Sequence, residues 1–460
     1  MVILWTDGLI YFLIAVMLVL GGCLRGQEHI QRPMQQIARS KTGMVSLVAL
    51  LFFVLIGLLD SVHFKPENDK KNEIISVLDA FATPLREHSE KTYSAPFATT
   101  LYSKEMIMQI DGSMQWAYPR LAFGGRHLDD PESQRISDIL QKTAYGLAQG
   151  VGLMGLVMLI YLITPSLWAR IYSRIRHQAR INSRPQFVLA VFPIWVTLFV
   201  IISLTTILIH LSAYYHVFGT DKVGEDVFYQ AVKSIRTGLV IGTLTTLIML
   251  PMAIIFGILA GFFQGWVDDV IQYIYTTLNS IPGVLLIAAS ILMVQVYMAN
   301  HEASFTSVIV RSDMRLLFLC LILGVTSWTG LCRLLRAETL KLREMEYVQA
   351  ATALGVKQGA ILLRHILPNM MHIVLISVVL DFSSLVLAEA VLSYINIGVD
   401  PTSYSWGNMI NGARLEMARE PIVWWSLTAA FVFMFTLVLA ANLFADVVQQ
   451  AFDPRRSGNE

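Results

Sequence analysis

Apolar residues in this chain fall in long uninterrupted runs. Runs long enough to cross about 30 Å of hydrocarbon need about 20 residues of helix. They lie near 4–23, 43–60, 145–164, 188–211, 238–260, 272–298, 315–335, 371–396 and 424–446. Each is expected to be helical, because backbone in lipid must satisfy its own hydrogen bonds. The pattern predicts an all-α polytopic membrane protein with about nine spans, with a kink at Pro282. Between the runs, 61–144 is polar, with turn formers at Pro66-Glu67-Asn68-Asp69 and Gly124-Gly125. It also holds Phe81, Tyr93, Phe97, Tyr102, Trp116, Tyr118 and Phe123, enough aromatic residues for a small folded lobe. That lobe reads either as a docking surface for a partner or as a passive cap over the helices.

Composition agrees with a bilayer. Hydrophobic residues make up 55% of the 460 and charged residues only 15%, against about 25% charged in soluble domains. An ordinary cytosolic enzyme is thereby excluded. A net charge of +1 excludes an overall basic nucleic-acid binder and an acidic disordered chain. The basic residues are concentrated in particular loops. Residues 25–42 carry Arg25, Arg32, Arg39 and Lys41 against Glu28, and 165–187 carry Arg170, Arg174, Arg176, Arg180 and Arg184 without an acid. Positive loops stay cytoplasmic. Counting spans onward places 336–370, with Arg336, Lys341, Arg343 and Arg364, and the tail ending Asp453-Pro454-Arg455-Arg456 on the same side. The N-terminus is then outside and the C-terminus inside.

Three cysteines, Cys23, Cys320 and Cys332, give no disulfide framework and no metal spacing. Leu20-Gly21-Gly22-Cys23 faintly resembles a lipoprotein cleavage box. The preceding residues hold Asp7 and no Lys or Arg, so a retained first transmembrane helix is the better reading. No phosphate loop, H-E-x-x-H or G-x-S-x-G occurs, so the chain is not itself an ATPase, and no catalytic, cofactor or metal residues are expected in it.

Candidate chemistry lies in two places. Residues 343–369 predict a helix to about 354, a bend at Gly355, and a second short helix to Leu367, with Pro368 marking a break before the next span. Ala350 and Ala351 are small enough for another surface to approach the backbone. Within or near the span 371–396, Asp381 and Glu389 are carboxylates that cost several kcal/mol in lipid. They read either as lining a translocation path or its gate, or as a structural hydrogen bond (Asp381) and an interface position (Glu389).

Gln349-Ala350-Ala351, Gly355 and His365-Ile366-Leu367-Pro368 resemble the coupling loop of ABC importer permeases. Further motifs resemble the C-type permeases of oligopeptide, dipeptide and nickel importers. These are His216-Val217-Phe218-Gly219-Thr220-Asp221 with Gly224 and Asp226-Val227; Ser280-Ile281-Pro282; Leu387-Ala388-Glu389-Ala390-Val391-Leu392-Ser393 with Gly398; Ser405-Trp406-Gly407-Asn408-Met409; and Asp453-Pro454-Arg455. The resemblance covers about 212–456 and 39–60.

It implies a type I ABC importer transmembrane fold in a bacterial inner membrane. The division expected is an extra N-terminal helix (1–30), the first core helix with its lead-in (31–60), a periplasmic lobe (61–144), an inserted helix pair (145–211) and the permease core (212–456) with its coupling loop (343–368). Implied partners are a second, B-type permease forming a heterodimer, two ATP-binding subunits carrying ATP and Mg, and an extracytoplasmic substrate-binding protein. Glu346, Gln349, Ala350, Ala351, Gly355, Arg364, His365 and Pro368 would couple to the ATPase, and Pro282, Asp381 and Glu389 would form the path or gate. The implied function is ATP-driven uptake of di- or oligopeptides, with nickel or antimicrobial-peptide uptake as the alternative and a membrane-embedded enzyme behind both. Where the loop usually begins with Glu, this chain has Gln349, which loses the charge of a salt bridge.

Overall fold

The computed structural model describes residues 4–24, 28–65, 74–108, 114–163, 184–301 and 307–452. Arg25, Arg170, Arg174, Arg176, Arg180, the turn at 66–69, the tail 453–456 and the side chain of Cys23 lie outside the described residues. In chain order the helices are α1 (Trp5–Leu24), α2 (Glu28–Arg39), α3 (Lys41–Ser61), α4 (Val77–Phe81), α5 (Thr83–Glu87), α6 (Pro131–Ile163) and α7 (Arg184–Ser212). Then follow α8 (Val227–Phe263), α9 (Gly265–Ser280), α10 (Gly283–Asn300), α11 (Val308–Arg343), α12 (Glu346–Ala353), α13 (Gln358–Ile361), α14 (Leu367–Tyr394), α15 (Trp406–Glu416) and α16 (Trp425–Phe452). Among the described residues, seven helices are long and apolar enough to cross a membrane.

α8 is the hub. Its 37 residues extend about 55 Å, beyond the hydrocarbon thickness, so its first turns stand clear of the bilayer. Asp226 caps it by accepting from the Tyr229 N–H at 3.0 Å. Near its far end Gly257 and Gly261 let α11 approach. A Cβ there would lie 2.8 Å from the Leu335 Cβ and 2.5 Å from the Thr339 Cβ. Small residues four apart allow such close helix crossing in membranes, where packing replaces the hydrophobic effect between helices. Ile258, Trp328, Leu331, Cys332 and Leu335 fill the contact. Cys320 and Cys332 are both buried and unbridged, as small apolar fillers.

The inserted helices α6 and α7 run antiparallel, Gly146 against Ile207 and Gly150 against Ser203. α7 packs on α3 and α6 packs on α7, and both leave most of their surface outward.

The lobe is built on two small antiparallel ribbons, β1 (His63–Phe64) with β2 (Ile75–Ser76), and β3 (Glu105–Met108) with β4 (Met114–Ala117). Ser76 and Asp79 form a reciprocal cap on α4. Its aromatic core is continuous with that of the helices: Tyr93 and Tyr102 meet Trp425, in a cluster with Val227, Ala231 and Trp406.

Three elements differ from the sequence expectation. The run 272–298 is two helices, because the chain leaves helical geometry at Ile281 (ψ 131°) and Pro282 caps the second helix; Pro282 separates α9 from α10 rather than kinking one helix. Pro368 does not break the chain. A π-helical turn at Leu362–Ile366 carries the backbone into α14, with the Leu367 N–H donating to the Leu362 carbonyl, and the wider turn accommodates a proline in the first turn of α14. α6 begins at Pro131, well before its apolar run, so charged turns project toward the lobe.

Candidate functional site

At the end of the bundle opposite the lobe, α11 hands over to the segment 344–366. α12 ends in a glycine turn: Gly355 has φ +74°, its N–H donates to Thr352 O at 3.0 Å, and the Val356 N–H donates to Ala351 O at 3.1 Å. This paired closure requires a left-handed residue, which glycine adopts without strain. Val348, Ile361 and Ile366 are buried in the cluster that holds Leu335, Leu342 and Met370, so the segment is seated on the helices beneath it. Polar ties add to this seat. Arg343 Nη1 donates to Phe262 O at 3.0 Å, Asn369 Nδ2 donates to the Tyr347 hydroxyl at 3.0 Å and to His365 O at 2.7 Å, and Arg336 grips Asp268 with both nitrogens at 2.5 Å.

The outer side is open. Glu346, Gln349, Ala350, Arg364 and Pro368 are exposed, Ala351 and His365 partly so, and no other atom lies within 4 Å of a Cβ built on Gly355. Leu354 is 83% exposed at the tip of the turn. The eight residues expected to couple are thus brought onto one seated element. Gln349 turns back on its own chain, donating to Glu344 O at 3.2 Å and to the Glu344 carboxylate at 3.4 Å.

The remaining candidates do not converge. Pro282 stands between α9 and α10. Asp381 and Glu389 share α14 but are eight residues apart, about 12 Å along the axis, too far to act as paired carboxylates. Glu389 is fully enclosed and accepts from the Ser393 hydroxyl at 2.7 Å. Asp381 is half-buried near the middle of the helix, with no side-chain partner among the described residues.

On the lobe side, the motif at 216–227 ties the lobe to the start of α8. His216 Nδ1 lies 2.7 Å from Asp226 and its Nε2 lies 3.5 Å from Glu90. Glu90 also accepts from the N–H groups of Ala122, Phe123 and Gly124 at 2.8–3.2 Å. Burial alone would push the Glu90 carboxyl up, but His216 and these three donors hold it down at about 2. Burial opposes the imidazolium of His216, yet Asp226 and Glu90 raise it to about 9. Gly224 (φ +79°) accepts from the Glu90 N–H through its carbonyl at 2.9 Å, and Trp425 Nε1 donates to Thr220 O at 2.9 Å.

Beside this knot is a cavity of about 590 Å³ whose lining includes Asp60, His63, Asp79, Tyr229, Lys233, Arg236, Asp313 and Tyr404. Lys233 pairs with Asp60 and Asp79, each at 2.8 Å. Arg236 pairs with Asp7 at 2.6 Å and lies 3.8 Å from Asp313, Asp7 also meets His63 at 2.9 Å, and the Thr6 hydroxyl donates to Asp313. Although burial favours its neutral form, Lys233 holds the Asp79 carboxyl at about 2. This network fastens α1 to α8 and α11. Sequence reasoning missed it; the signal was Lys233 and Arg236, two cations one turn apart at the head of an apolar helix.

Comparison with known proteins covers the same core. The family "Binding-protein-dependent transport system inner membrane component" matches residues 253–458. A protein of Brucella suis biovar 1 (strain 1330) named as a peptide permease is 31% identical over 247 residues, 53% of this chain and 74% of that one. The dipeptide transport system permease protein of Lactococcus lactis subsp. cremoris (strain MG1363) is 30% identical over 242 residues, 53% of this chain and 64% of that one. An oligopeptide transport system permease protein of Haemophilus influenzae (strain ATCC 51907 / DSM 11121 / KW20 / Rd) is 29% identical over 241 residues, 52% of this chain and 71% of that one.

Proposed function

Since the chain belongs to the family of binding-protein-dependent transport system inner membrane components, we propose that it is the permease subunit of an ATP-driven importer of di- or oligopeptides. The observation that carries this reading is the segment 344–366, seated by Val348, Ile361 and Ile366 and presenting Leu354 outward. The turn is tied down on its inner side and open on its outer side, where Glu346, Gln349, Ala350 and Arg364 are also exposed, which leaves it free to meet another protein. One of two ATP-binding subunits, which hold ATP and Mg in this reading, would take that turn. Their closure would then move α11 and α14 as a rigid body, because the segment is fixed to both.

A second, B-type permease completes the pore, and an extracytoplasmic binding protein delivers the peptide on the lobe side. The lobe and N-terminus are outside and the C-terminus inside the inner membrane of a bacterium, in line with the basic residues on the coupling side. The peptide substrate is carried over from the names of the relatives. Isolating the tagged chain from its native membrane tests the assignment: two ATP-binding subunits and a second permease are expected with it. A chain that isolates alone and turns over a substrate without ATP would overturn the reading.

A further inference from the structure

Asp381 is the fifteenth of 28 residues in α14, well inside a helix long and apolar enough to cross a membrane. Its carboxylate is half-buried, and among the described residues no side chain pairs with it. Several buried or half-buried ionisable groups in the helices are matched instead: Lys233 with Asp60 and Asp79, Arg236 with Asp7, Arg336 with Asp268, and Glu389 with Ser393. A carboxylate within the bilayer is too costly to face lipid, so it faces water or a counter-charge.

The residues around it choose between these. Ser377 and Ser384 stand four before and three after Asp381, and Ala388 follows, so these positions share one side of the helix. That line runs along the margin between the packed face, where Phe382 meets Gly242, and the open face of Leu380, Leu387 and Val391. A salt bridge to a neighbouring helix needs one counter-charge and no hydroxyl track. The Ser384 hydroxyl donates to the Asp381 carbonyl at 2.8 Å, so its oxygen remains as an acceptor. Two hydroxyl oxygens flanking a carboxylate over about 10 Å make a wettable strip of acceptors for a cationic group.

We propose that Asp381, with Ser377 and Ser384 to either side, is a subsite of the translocation path that takes the α-ammonium group of a peptide in transit. This rests on the transport reading above. A carboxylate takes a cationic amine, and every peptide with a free N-terminus presents one whatever its side chains, so such peptides are the class it serves.

The test uses the complete complex in proteoliposomes, in a Cys23→Ser background, after ATP-dependent dipeptide uptake has been measured. Absence of uptake there would count against the transport reading and leave the subsite to be judged by labelling alone. Ser384→Cys is then modified with a cationic and an anionic methanethiosulfonate. With Asp381 present, the ratio of cationic to anionic rates should exceed that in Asp381→Asn by about tenfold, the effect of one near charge in a narrow wet path. A dipeptide should slow modification and its N-acetylated form should not, and Asp381→Asn should abolish that protection. No labelling by either reagent would place the strip against lipid or the second permease and overturn the proposal. Equal protection by both peptides, no protection by either, or protection surviving Asp381→Asn would overturn it as well.

Discussion

Replacing Gly355 with valine isolates the turn proposed to couple from the rest of the fold. The backbone there has φ +74°, and the space around it is empty to 4 Å, so the substitution meets strain without collision. A left-handed residue with a Cβ costs about 1–2 kcal/mol, and a β-branched one lies at the upper end. That cost falls on the turn alone, since Val348, Ile361 and Ile366 keep their buried seat. In a two-state turn it lowers the equilibrium constant for the properly closed form by about fivefold to thirtyfold.

The assay is the ratio of peptide taken up to ATP hydrolysed, measured on the same proteoliposomes. Gly355→Val should lower that ratio, by at most a factor in this range, while the thermal midpoint of the complex stays within about 2 °C. Gly355→Asn, which tolerates the left-handed region, should recover most of it. An unchanged ratio in the valine variant would refute the reasoning. So would equal loss in valine and asparagine variants, because backbone conformation would then not be the cause.

Further outcomes follow from the lobe side. Gly224→Ala puts a Cβ 1.8 Å from the Glu90 carbonyl oxygen at a φ of +79° and must break the 2.9 Å bond there; cleavage of the 62–130 lobe by protease should become at least tenfold faster. His216 is held up at about 9, above its unfolded value near 6.5. Its contribution is therefore complete below about pH 6.5 and lost as pH rises through about 9. Glu90, held down at about 2, contributes fully above its unfolded value and fails as pH falls toward 2. Protease resistance of the lobe should follow these limits, and His216→Gln should remove the alkaline loss. Arg236→Ala leaves Asp7 and Asp313 buried without their cation and should destabilise by about 3–5 kcal/mol. A thermal midpoint unchanged from the parent would show that α1 is held by apolar contacts instead.

The spans were legible because lipid imposes a local rule: twenty apolar residues in a row leave no alternative to a helix. Where helix ends depend on geometry instead, the pattern gave no warning. Thr276, Thr277, Asn279 and Ser280 precede Ile281 without a charge among them, so the uncharged run continues through the break before Pro282. Glu132, Arg135, Asp138 and Lys142 disguise the first turns of α6, which are helical without being in lipid. Pro368 reads as a break because the π turn that accommodates it has no sequence mark. The helix and glycine turn at 344–366 were legible for the opposite reason, since the residues are contiguous and the bend needs a glycine at one position. The ion-pair network was not, because Asp7 and Arg236 are 229 residues apart and nothing local relates them. Glu90 falls in the polar stretch of the lobe, where its pairing with His216 depends on how the chain folds back.

The account stands most directly on which surface the turn at Leu354 meets. In a Cys23→Ser background, where the remaining Cys320 and Cys332 are buried, Leu354→Cys gives one accessible thiol at the tip. In the intact complex a short bifunctional reagent should join that thiol to an ATP-binding subunit, with a yield that changes when nucleotide binds. In sealed cells a membrane-impermeant thiol reagent added outside should not reach it. Labelling from outside, or no cross-link to an ATP-binding subunit in a complex that contains one, would contradict the assignment of residues 344–366 as the coupling element.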